Sequence, residues 1–310
     1  MPGGVTLRAV VVLLSLALLP GIASAQVTSA DMGSGVGWID CNVDGIVDVV
    51  YLTPTGEIIV MENQGDGSFV DVSGTSIPAG VVAAGNPALG IVSGDVNNDG
   101  APDMFLTLHG QNFLLLNDGA GSFSAISRRA GIIGEVMSAS GAMLDYDNDG
   151  LLDIYVVNYE GQPNQMFRCT GIDKEGFPSY ENVSEALGVD LAPNGQSDWG
   201  LGVTVADFDN DGDTDMYIGN DYNGVGDGVL NPGDNIYYRN NGDGTFTDAT
   251  DEAGLRDTGW AMGVAHGDYN NDGYEDIFVA NFFEDVLYKN NGDGTFTEAT
   301  ETAGIITGAK

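Results

Sequence analysis

The sequence predicts an all-β protein built from repeated four-stranded antiparallel sheets, and three observations support this prediction. A nonapeptide of the form D-x-[DN]-x-D-G-x-x-D occurs five times, and its starting positions are 55, 50, 62 and 61 residues apart. An apolar run typical of a strand follows each copy, with Val, Ile, Tyr and Phe common in these runs. The 310 residues include 47 glycines, which suit many tight turns better than long helices.

Each repeat is predicted to contribute four strands in a fixed order. A strand of small residues leads into the nonapeptide, as in GVTVAD, which ends at Asp207. The second strand begins at the last Asp of the nonapeptide, as in DIYVVN from Asp153. The third strand runs into a Gly-rich hairpin turn, as in VLYKNNGDGTF, and a linker such as EAGL closes the repeat. In four repeats the fourth strand is predicted to start at a phenylalanine, namely Phe69, Phe123, Phe246 and Phe296.

Five such sheets are predicted to stack radially as the blades of a β-propeller. A single four-stranded sheet cannot bury both faces, whereas stacked sheets can, and a repeat of several tens of residues matches a blade. A linear β-solenoid or two stacked sheets are the alternative architectures. Known propellers have roughly four to eight blades. Three expectations therefore stay open: five blades close a ring, the chain is part of a larger propeller, or a second chain completes it by self-association.

The N-terminus has the pattern of an export signal. Arg8 precedes an apolar run from Ala9 to Leu19, and Ala23–Ala25 forms an A-x-A cleavage site. A membrane anchor needs about 20 apolar residues, and Pro20 interrupts this shorter run. We therefore expect residues 1–25 to be a signal peptide cleaved near Ala25, and residues 26–310 to be a secreted propeller, extracellular or periplasmic. No later segment is long and apolar enough to suggest a membrane span.

The only cysteines are Cys41 and Cys169, and the second stands where the later repeats have Asn240 and Asn290. An oxidising compartment permits a disulfide, but a single pair is not a framework, and two isolated buried thiols are the favoured alternative. The chain also has 46 acidic and 9 basic residues, with a formal charge of −37, which excludes nucleic acid as a partner because a polyanion repels phosphate. Hydrophobic residues nevertheless make up 43% of the chain, so a folded core is expected.

The nonapeptide has the composition of a calcium loop. Counted from its first Asp, side-chain oxygens stand at positions 1, 3, 5 and 9, glycine at position 6 allows a sharp turn, and position 7 offers a backbone carbonyl. A flexible, all-oxygen donor set suits calcium better than zinc or magnesium. We expect about five calcium ions, one per repeat. The predicted ligands are Asp40, Asn42, Asp44, Ile46 and Asp48 in loop 1 (40–48); Asp95, Asn97, Asp99, Ala101 and Asp103 in loop 2 (95–103); Asp145, Asp147, Asp149, Leu151 and Asp153 in loop 3 (145–153); Asp207, Asp209, Asp211, Asp213 and Asp215 in loop 4 (207–215); and Asp268, Asn270, Asp272, Tyr274 and Asp276 in loop 5 (268–276).

Two other interpretations of the nonapeptide are weaker. A solvated Asp/Asn turn explains one copy equally well, but not the same oxygens at the same positions in five copies. An EF-hand needs a bidentate Glu at position 12, and here that position holds Tyr51, Leu106, Val156, Ile218 or Val279. Loops 1, 2 and 5 have Asn at position 3, so they carry one charge fewer and are expected to bind calcium more weakly than loops 3 and 4.

These loops, the small-residue strands before them and the NNGDGTFT turns resemble those of the FG-GAP/VCBS repeat proteins, whose propeller is similar to the N-terminal domain of integrin α chains. The amino-acid sequence of the segment WGLGVTVADFDNDGDTDMYIGN is most similar to secreted bacterial and cartilage-acidic-protein-like members. The resemblance covers about residues 33–300 and implies calcium binding in the loops. It also implies a propeller that commonly has more than five blades.

The sequence predicts a binding or scaffold protein rather than an enzyme. The only histidines are His109 and His266, and no G-x-S-x-G or H-E-x-x-H motif occurs. We expect a secreted calcium-binding adhesion, recognition or structural module with an extracellular protein or glycan ligand. The alternatives are a lectin, or a calcium-dependent polysaccharide-active enzyme of the lyase type. Trp199 and Trp260 lie eight residues before their loops, where inter-blade packing is favoured over a sugar-stacking role.

Overall fold

A computed structural model describes residues 35–53, 56–81, 88–190, 199–223, 231–232, 234–257 and 259–305. These residues form five four-stranded antiparallel units, here called blades 1 to 5 in chain order. Blades 2 and 3 are joined into one eight-stranded sheet, because the second strand of blade 2 pairs with the first strand of blade 3. The prediction of an all-β protein built from four-stranded blades is confirmed. The predicted signal peptide, residues 1–25, lies outside the described residues.

The strand bounds repeat from blade to blade. Blade 1 contains β1 (Val36–Ile39), β2 (Asp48–Leu52), β3 (Ile58–Asn63) and β4 (Phe69–Asp71). Blade 2 contains β5 (Ala88–Gly94), β6 (Asp103–Gly110), β7 (Phe113–Asn117) and β8 (Phe123–Ala125). Blade 3 contains β9 (Val136–Leu144), β10 (Asp153–Asn158), β11 (Gln165–Ile172) and β12 (Pro178–Asn182). Blade 4 contains β13 (Gly200–Ala206), β14 (Asp215–Asn220), β17 (Ile236–Asn240) and β18 (Phe246–Asp248), with the small hairpin β15 (Tyr222–Asn223) and β16 (Asn231–Pro232) between β14 and β17. Blade 5 contains β19 (Ala261–Gly267), β20 (Asp276–Asn281), β21 (Val286–Asn290) and β22 (Phe296–Glu298).

Three helices of one turn each lie in the linkers that follow a fourth strand: α1 (Ser73–Ser76), α2 (Ser184–Leu187) and α3 (Thr250–Ala253). The sequence analysis expected no helix there. In α2 and α3 the glycine of the linker, Gly188 or Gly254, adopts a left-handed conformation and caps the helix, which explains why the turn ends there. Among the helices of the described residues, none is long and apolar enough to cross a membrane.

Adjacent blades share one hydrophobic core, and the second strands supply it by alternation. In β10, Ile154 and Val156 pack towards blade 2, whereas Tyr155 and Val157 pack towards blade 4. These four side chains are fully buried, because each face of a central blade meets a neighbouring blade. The same alternation in β14 places Met216 and Ile218 against blade 3 and Tyr217 against blade 5.

The first strands pack against one another in series: β1 against β5, β5 against β9, β9 against β13, and β13 against β19. Their small residues permit this close approach. A Cβ atom at Gly202 on β13 would lie 3.2 Å from the backbone nitrogen of Val264 on β19, which is tighter than an ordinary contact. The small-residue pattern in front of each loop is therefore a packing requirement between blades.

The outward faces of the two end blades remain open to solvent. On blade 1, Trp38 is 62% exposed and Tyr51 is 39% exposed, although Tyr51 occupies the position of the fully buried Leu106, Val156 and Ile218 in blades 2 to 4. On blade 5, Met262 is 48% exposed. The apolar pattern thus continues onto faces that no neighbouring blade covers within the described residues.

Cys41 and Cys169 are both buried and are not joined in a disulfide. They lie in different cores, Cys41 between blades 1 and 2 and Cys169 between blades 2 and 3. Burial is the main cause that raises the pKa of the Cys41 thiol to about 12, and the neighbouring carboxylates add to this rise. Both thiols are therefore packing residues.

Candidate metal centre

Each predicted loop folds into a compact turn around its first aspartate. In loop 3, Asp145 Oδ1 accepts a hydrogen bond from the backbone N–H of Asp149 at 3.0 Å, and Asp145 Oδ2 accepts one from Gly150 at 2.9 Å. Both bonds recur in the other four loops, with the first Asp accepting from positions 5 and 6 at 2.8 to 3.1 Å. The repeated nonapeptide therefore encodes one turn geometry.

Two residues of every loop adopt a left-handed backbone conformation. Position 6 is always glycine, as the sequence analysis expected, and has φ between 84° and 98°. Position 4 was missed by that analysis: it has φ between 56° and 61° in all five loops and is Val43, Asn98, Asn148, Asn210 or Asn271. Asn tolerates this conformation well, whereas β-branched Val43 is strained in it. The Asn repeated at position 4 of four loops was the available signal.

The last aspartate of each loop is buried and joins the loop to the third strand. In loop 3, Asp153 Oδ2 accepts from the N–H of Tyr146 at 3.2 Å, and Asp153 Oδ1 accepts from the N–H of Cys169 at 2.7 Å. The equivalent residues Asp48, Asp103, Asp215 and Asp276 make the same two bonds. All five are at most 1% exposed. Burial raises the pKa of Asp103, Asp153 and Asp215 to about 7, and the backbone N–H donors act in the opposite direction.

Carboxylate oxygens converge in loops 3 and 4. In loop 3, oxygens of Asp145, Asp147 and Asp149 lie within 4.8 Å of one another, and so do oxygens of Asp207, Asp209 and Asp215 in loop 4. Asp147 Oδ1 is buried and has no hydrogen-bond partner. An acceptor-only oxygen in this state costs free energy unless a cation or donor meets it.

The residues at position 7, namely Ile46, Ala101, Leu151, Asp213 and Tyr274, lie directly after the turn. Each donates its backbone N–H to the carboxylate at position 5, at 2.8 to 3.2 Å. In loops 1 and 2 the amide of the Asn at position 3 donates to the same carboxylate, from Asn42 Nδ2 to Asp44 Oδ2 at 3.1 Å and from Asn97 Nδ2 to Asp99 Oδ2 at 2.8 Å, whereas Asn270 Nδ2 of loop 5 is buried without a hydrogen-bond partner. The structure thus brings the predicted side chains of each loop into one short, oxygen-rich turn.

Asparagines on the third strands of blades 2, 4 and 5 connect loops 1, 3 and 4 to the following blade. Asn240 Nδ2 donates to the carbonyl of Tyr146, in loop 3 of the preceding blade, at 2.8 Å. Asn117 makes this bond to Cys41 at 2.8 Å, and Asn290 makes it to Phe208 at 2.7 Å. The sequence analysis noted the repeated asparagine but not its partner, because the carbonyl lies 76 to 94 residues away in the chain. Cys169 occupies this position in blade 3.

Basic side chains compensate only some loops. Arg168 contacts Asp147 Oδ2 through both Nε and Nη2 at 2.7 Å, and Lys289 Nζ lies 3.0 Å from Asp272 Oδ2. Loops 1 and 2 have no such partner in the described part of the chain, and residues 9–127 contain no Lys or Arg. Their acidic oxygens and the unpartnered oxygen of Asp147 fit a hard divalent cation, since every side-chain donor is oxygen and the loop charge is negative.

The aromatic and polar residues at the opposite ends of the strands have different surroundings. Trp199 packs edge-on against Tyr159 of blade 3, with ring centroids 4.8 Å apart, which agrees with an inter-blade role. Trp260 instead contacts Phe282 and Phe283 of its own blade at 5.8 and 5.3 Å. Phe283 is 63% exposed, so this cluster forms a solvent-facing aromatic surface.

The five blades and their acidic loops define a repeat protein of the propeller type. The chain belongs to the family of FG-GAP-like repeats, whose model matches residues 40–106, 95–156, 221–279 and 268–309. Cartilage acidic protein 1 of Xenopus tropicalis is 23% identical over 273 residues, which cover 80% of this chain and 40% of that protein. The proteins of the same name from Mus musculus and Homo sapiens are each 30% identical over 212 residues, covering 66% of this chain and 31% and 30% of those proteins. The chain thus spans less than half the length of these curated relatives.

Two solved structures are similar at low sequence identity. One is a lectin of Agrocybe aegerita described as recognising non-reducing terminal N-acetylglucosamine; it is 19% identical, with 86% of this chain and 79% of that chain covered and a TM-score of 0.40. The other is a Tc holotoxin pore of Photorhabdus luminescens, which is 13% identical, with 85% of this chain and 12% of that chain covered and a TM-score of 0.40.

Proposed function

We propose that this chain is a secreted calcium-binding recognition or scaffold module in which one calcium ion stabilises the loop of each blade. The main observation behind this proposal is the buried aspartate at position 9 of every loop. It lies next to further carboxylates, and the neighbouring basic side chains are too few to balance their negative charge. Burying an unpaired carboxylate is costly, and a bound cation offsets that cost. The export signal that the sequence predicts for residues 1–25 supports this proposal, because calcium is plentiful outside cells and weak loops can fill there.

Within each loop, the side-chain oxygens at positions 1, 3, 5 and 9 and the carbonyl at position 7 would hold the ion. Calcium supplies positive charge and accepts several oxygens in a flexible geometry. The protein supplies the turn, through the glycine at position 6, and fixes the first and last aspartates by backbone N–H donors. The ion is proposed to have a structural role, with no reaction assigned to it.

Removal of calcium tests this function. Chelation is expected to lower the melting temperature strongly, since a ligand that binds only the folded state adds stability by mass action. The variant Asp149→Ala removes one ligand of loop 3 and should lose part of the calcium-dependent gain. Asp118→Ala is the control, because Asp118 lies in a hairpin turn of blade 2 outside the loops. Equal melting temperatures with calcium and with chelator would contradict the proposal.

For the recognition partner, we propose an extracellular protein or glycan, with the exposed cluster of Trp260, Phe282 and Phe283 as its contact surface. Exposed aromatic rings with a polar surround are common in binding surfaces. Arrays of glycans and extracellular proteins, probed with and without chelator, test this; loss of a specific signal in Phe283→Ala is the expected result. Uniform absence of binding would argue for a purely structural scaffold.

A second copy of the chain is a further proposed partner. Each internal interface joins the following-side face of one blade to the preceding-side face of the next, as shown by Tyr217 and Ile277 in the core between blades 4 and 5. Among the residues that the structure describes, none covers the preceding-side face of blade 1, which carries Tyr51, or the following-side face of blade 5. These two faces are complementary halves of the same kind of interface, so head-to-tail association is expected.

An enzymatic function has less support. The matched family is described as a repeat, and the name of the relatives refers to acidity and cartilage; neither names a reaction. His266, which was the one histidine next to a loop, is engaged by Thr204 at 2.5 Å between Nδ1 and Oγ1 and contacts Phe208 edge-on at 5.9 Å. A lyase remains the alternative candidate, and the appearance of unsaturated products from acidic polysaccharides is the measurement that would favour it.

A further inference from the structure

The five blades differ at one position on the third strand. This position directly precedes the asparagine or cysteine whose backbone N–H donates to the last aspartate of the loop. Here it is called the gate position. It holds Glu62 in blade 1, Leu116 in blade 2, Arg168 in blade 3, Arg239 in blade 4 and Lys289 in blade 5. The charge beside the loop therefore changes from negative through neutral to positive along the chain.

The contacts at the gate position are direct in blades 3 and 5. Arg168 holds Asp147 Oδ2 at 2.7 Å, and its Nη2 lies 3.8 Å from Asp149 Oδ2. Lys289 Nζ lies 3.0 Å from Asp272 Oδ2, and the ammonium group lowers the pKa of Asp272. Both cations thus touch carboxylates that belong to the proposed calcium ligands.

In the other blades, the residue at the gate position either makes no direct contact with the loop carboxylates or carries a negative charge. Arg239 forms an ion pair with Glu252 at 3.5 Å, outside the loop. Glu62 lines the same small cavity as Asn42 and Asp48, so it adds negative charge beside loop 1. Its Oε1 accepts from Gln64 at 3.0 Å rather than from a cation.

We propose that Arg168 and Lys289 are built-in counter-cations, which stabilise loops 3 and 5 without calcium and lower the calcium affinity of these loops relative to loop 1. This inference rests on the proposed calcium function. A positive group within a few ångströms of the ion repels it and already neutralises part of the loop charge. The chain then contains two classes of loop. One class needs calcium to balance its negative charge, and in the other class a basic side chain already balances part of that charge.

This inference changes the order of affinity that follows from counting loop carboxylates alone. Asp147 gives loop 3 one charge more than loop 1 has, but Arg168 cancels that charge. Arg168 occupies Asp147 Oδ2 and leaves Asp147 Oδ1 buried and without a partner, so one oxygen is still free for the ion. Loop 3 is therefore expected to remain a calcium site of reduced affinity.

The test replaces the counter-cations by an uncharged side chain of similar length. Arg168 has a side chain 39% exposed, as has Lys289, so the double variant Arg168→Met with Lys289→Met is expected to fold. Calcium titration by calorimetry at fixed ionic strength should show the weakest class of sites gaining affinity roughly fivefold, the size of a Coulomb term of about 1 kcal/mol in a high dielectric. In chelator the melting temperature should fall by roughly 1–4 °C, as expected for losing partly exposed ion pairs.

Two further variants make the test decisive. Arg129→Met removes an ion pair with Asp173 and Glu175 outside the loops, and it should leave the calcium isotherm unchanged. Glu62→Arg places a cation beside loop 1, and it should weaken calcium uptake there roughly tenfold while raising the melting temperature in chelator. The absence of calcium heat from the unmodified chain would contradict the proposed function itself. A normal isotherm shared by the unmodified chain, the double variant and Glu62→Arg would overturn only the counter-cation inference.

Discussion

At the scale of single residues, the last aspartate of each loop has two roles that its neighbours do not share. Both oxygens of Asp153 accept backbone N–H groups, one from the loop and one from the third strand. Asp147, by contrast, makes no backbone bond that fixes the loop, and one of its oxygens has no partner. Asp153 therefore stabilises the fold even without metal, whereas Asp147 has an oxygen available to bind a cation.

This difference predicts opposite results for two isosteric substitutions. Asp153→Asn turns one acceptor into an NH₂ group that faces a backbone N–H, so it should destabilise the protein by about 1–3 kcal/mol even in chelator. Asp147→Asn should cost less than about 1 kcal/mol in chelator and should mainly reduce the calcium-dependent gain. Denaturant unfolding with and without calcium measures both quantities. An identical loss for the two variants in chelator would contradict the assigned roles.

The prediction of individual residues from sequence succeeded where a repeated pattern dictates local geometry. The turn at the glycine of position 6 and the starts of the fourth strands at Phe69, Phe123, Phe246 and Phe296 are confirmed, because each depends on neighbours in the chain. The contact between Arg168 and Asp147 was not predicted, since it joins residues 21 positions apart through side chains alone. The relative calcium affinity of the loops cannot be obtained by counting loop acids for the same reason.

At the scale of the strand and the loop, the third-strand asparagines couple neighbouring blades. The backbone N–H of Asn240 donates a hydrogen bond to the loop aspartate Asp215 at 2.8 Å, and the side-chain amide of Asn240 donates one to the carbonyl of Tyr146 in blade 3. A change in one loop is therefore transmitted to the next blade by one buried amide. In blade 3, Cys169 keeps the backbone bond to Asp153 but offers only a thiol in place of the amide.

We expect Asn240→Ala to destabilise the protein by about 1–3 kcal/mol, because it leaves the buried Tyr146 carbonyl without its donor. Asn241→Ala is the matched control: Asn241 is the next residue, is exposed, and bonds only within its hairpin to Thr245 and Thr247. Thermal or urea unfolding of both variants provides the comparison. Equal stability of the two variants would show that the inter-blade bond contributes nothing.

At the scale of the whole molecule, the blades are built alike, but within the described residues the end blades have no neighbouring blade on one side. The repetition of blades was predicted from the sequence. Each second strand is apolar at consecutive positions, which indicates that both of its faces are buried. It could not predict which faces stay open, because that depends on the arrangement of blades and not on the sequence of any one blade. Trp38 shows the consequence, since it is a large apolar residue that is 62% exposed.

Head-to-tail association through these faces predicts a concentration-dependent increase in mass. The net charge of −37 opposes association, so the effect should strengthen as salt screens the repulsion. Trp38→Asp should abolish it with little effect on stability, because the side chain is mostly exposed. Sedimentation velocity at several salt concentrations measures this. A monomer at all concentrations and salt levels would exclude a second copy as the partner.

The most direct measurement of the central claim is a calorimetric calcium titration of the metal-stripped protein. The proposal predicts about five ions bound per chain, a heat of binding, and a melting temperature that rises as the loops fill. A titration without calcium heat, together with a melting temperature unchanged by calcium, would contradict the claim that the five acidic loops are metal sites.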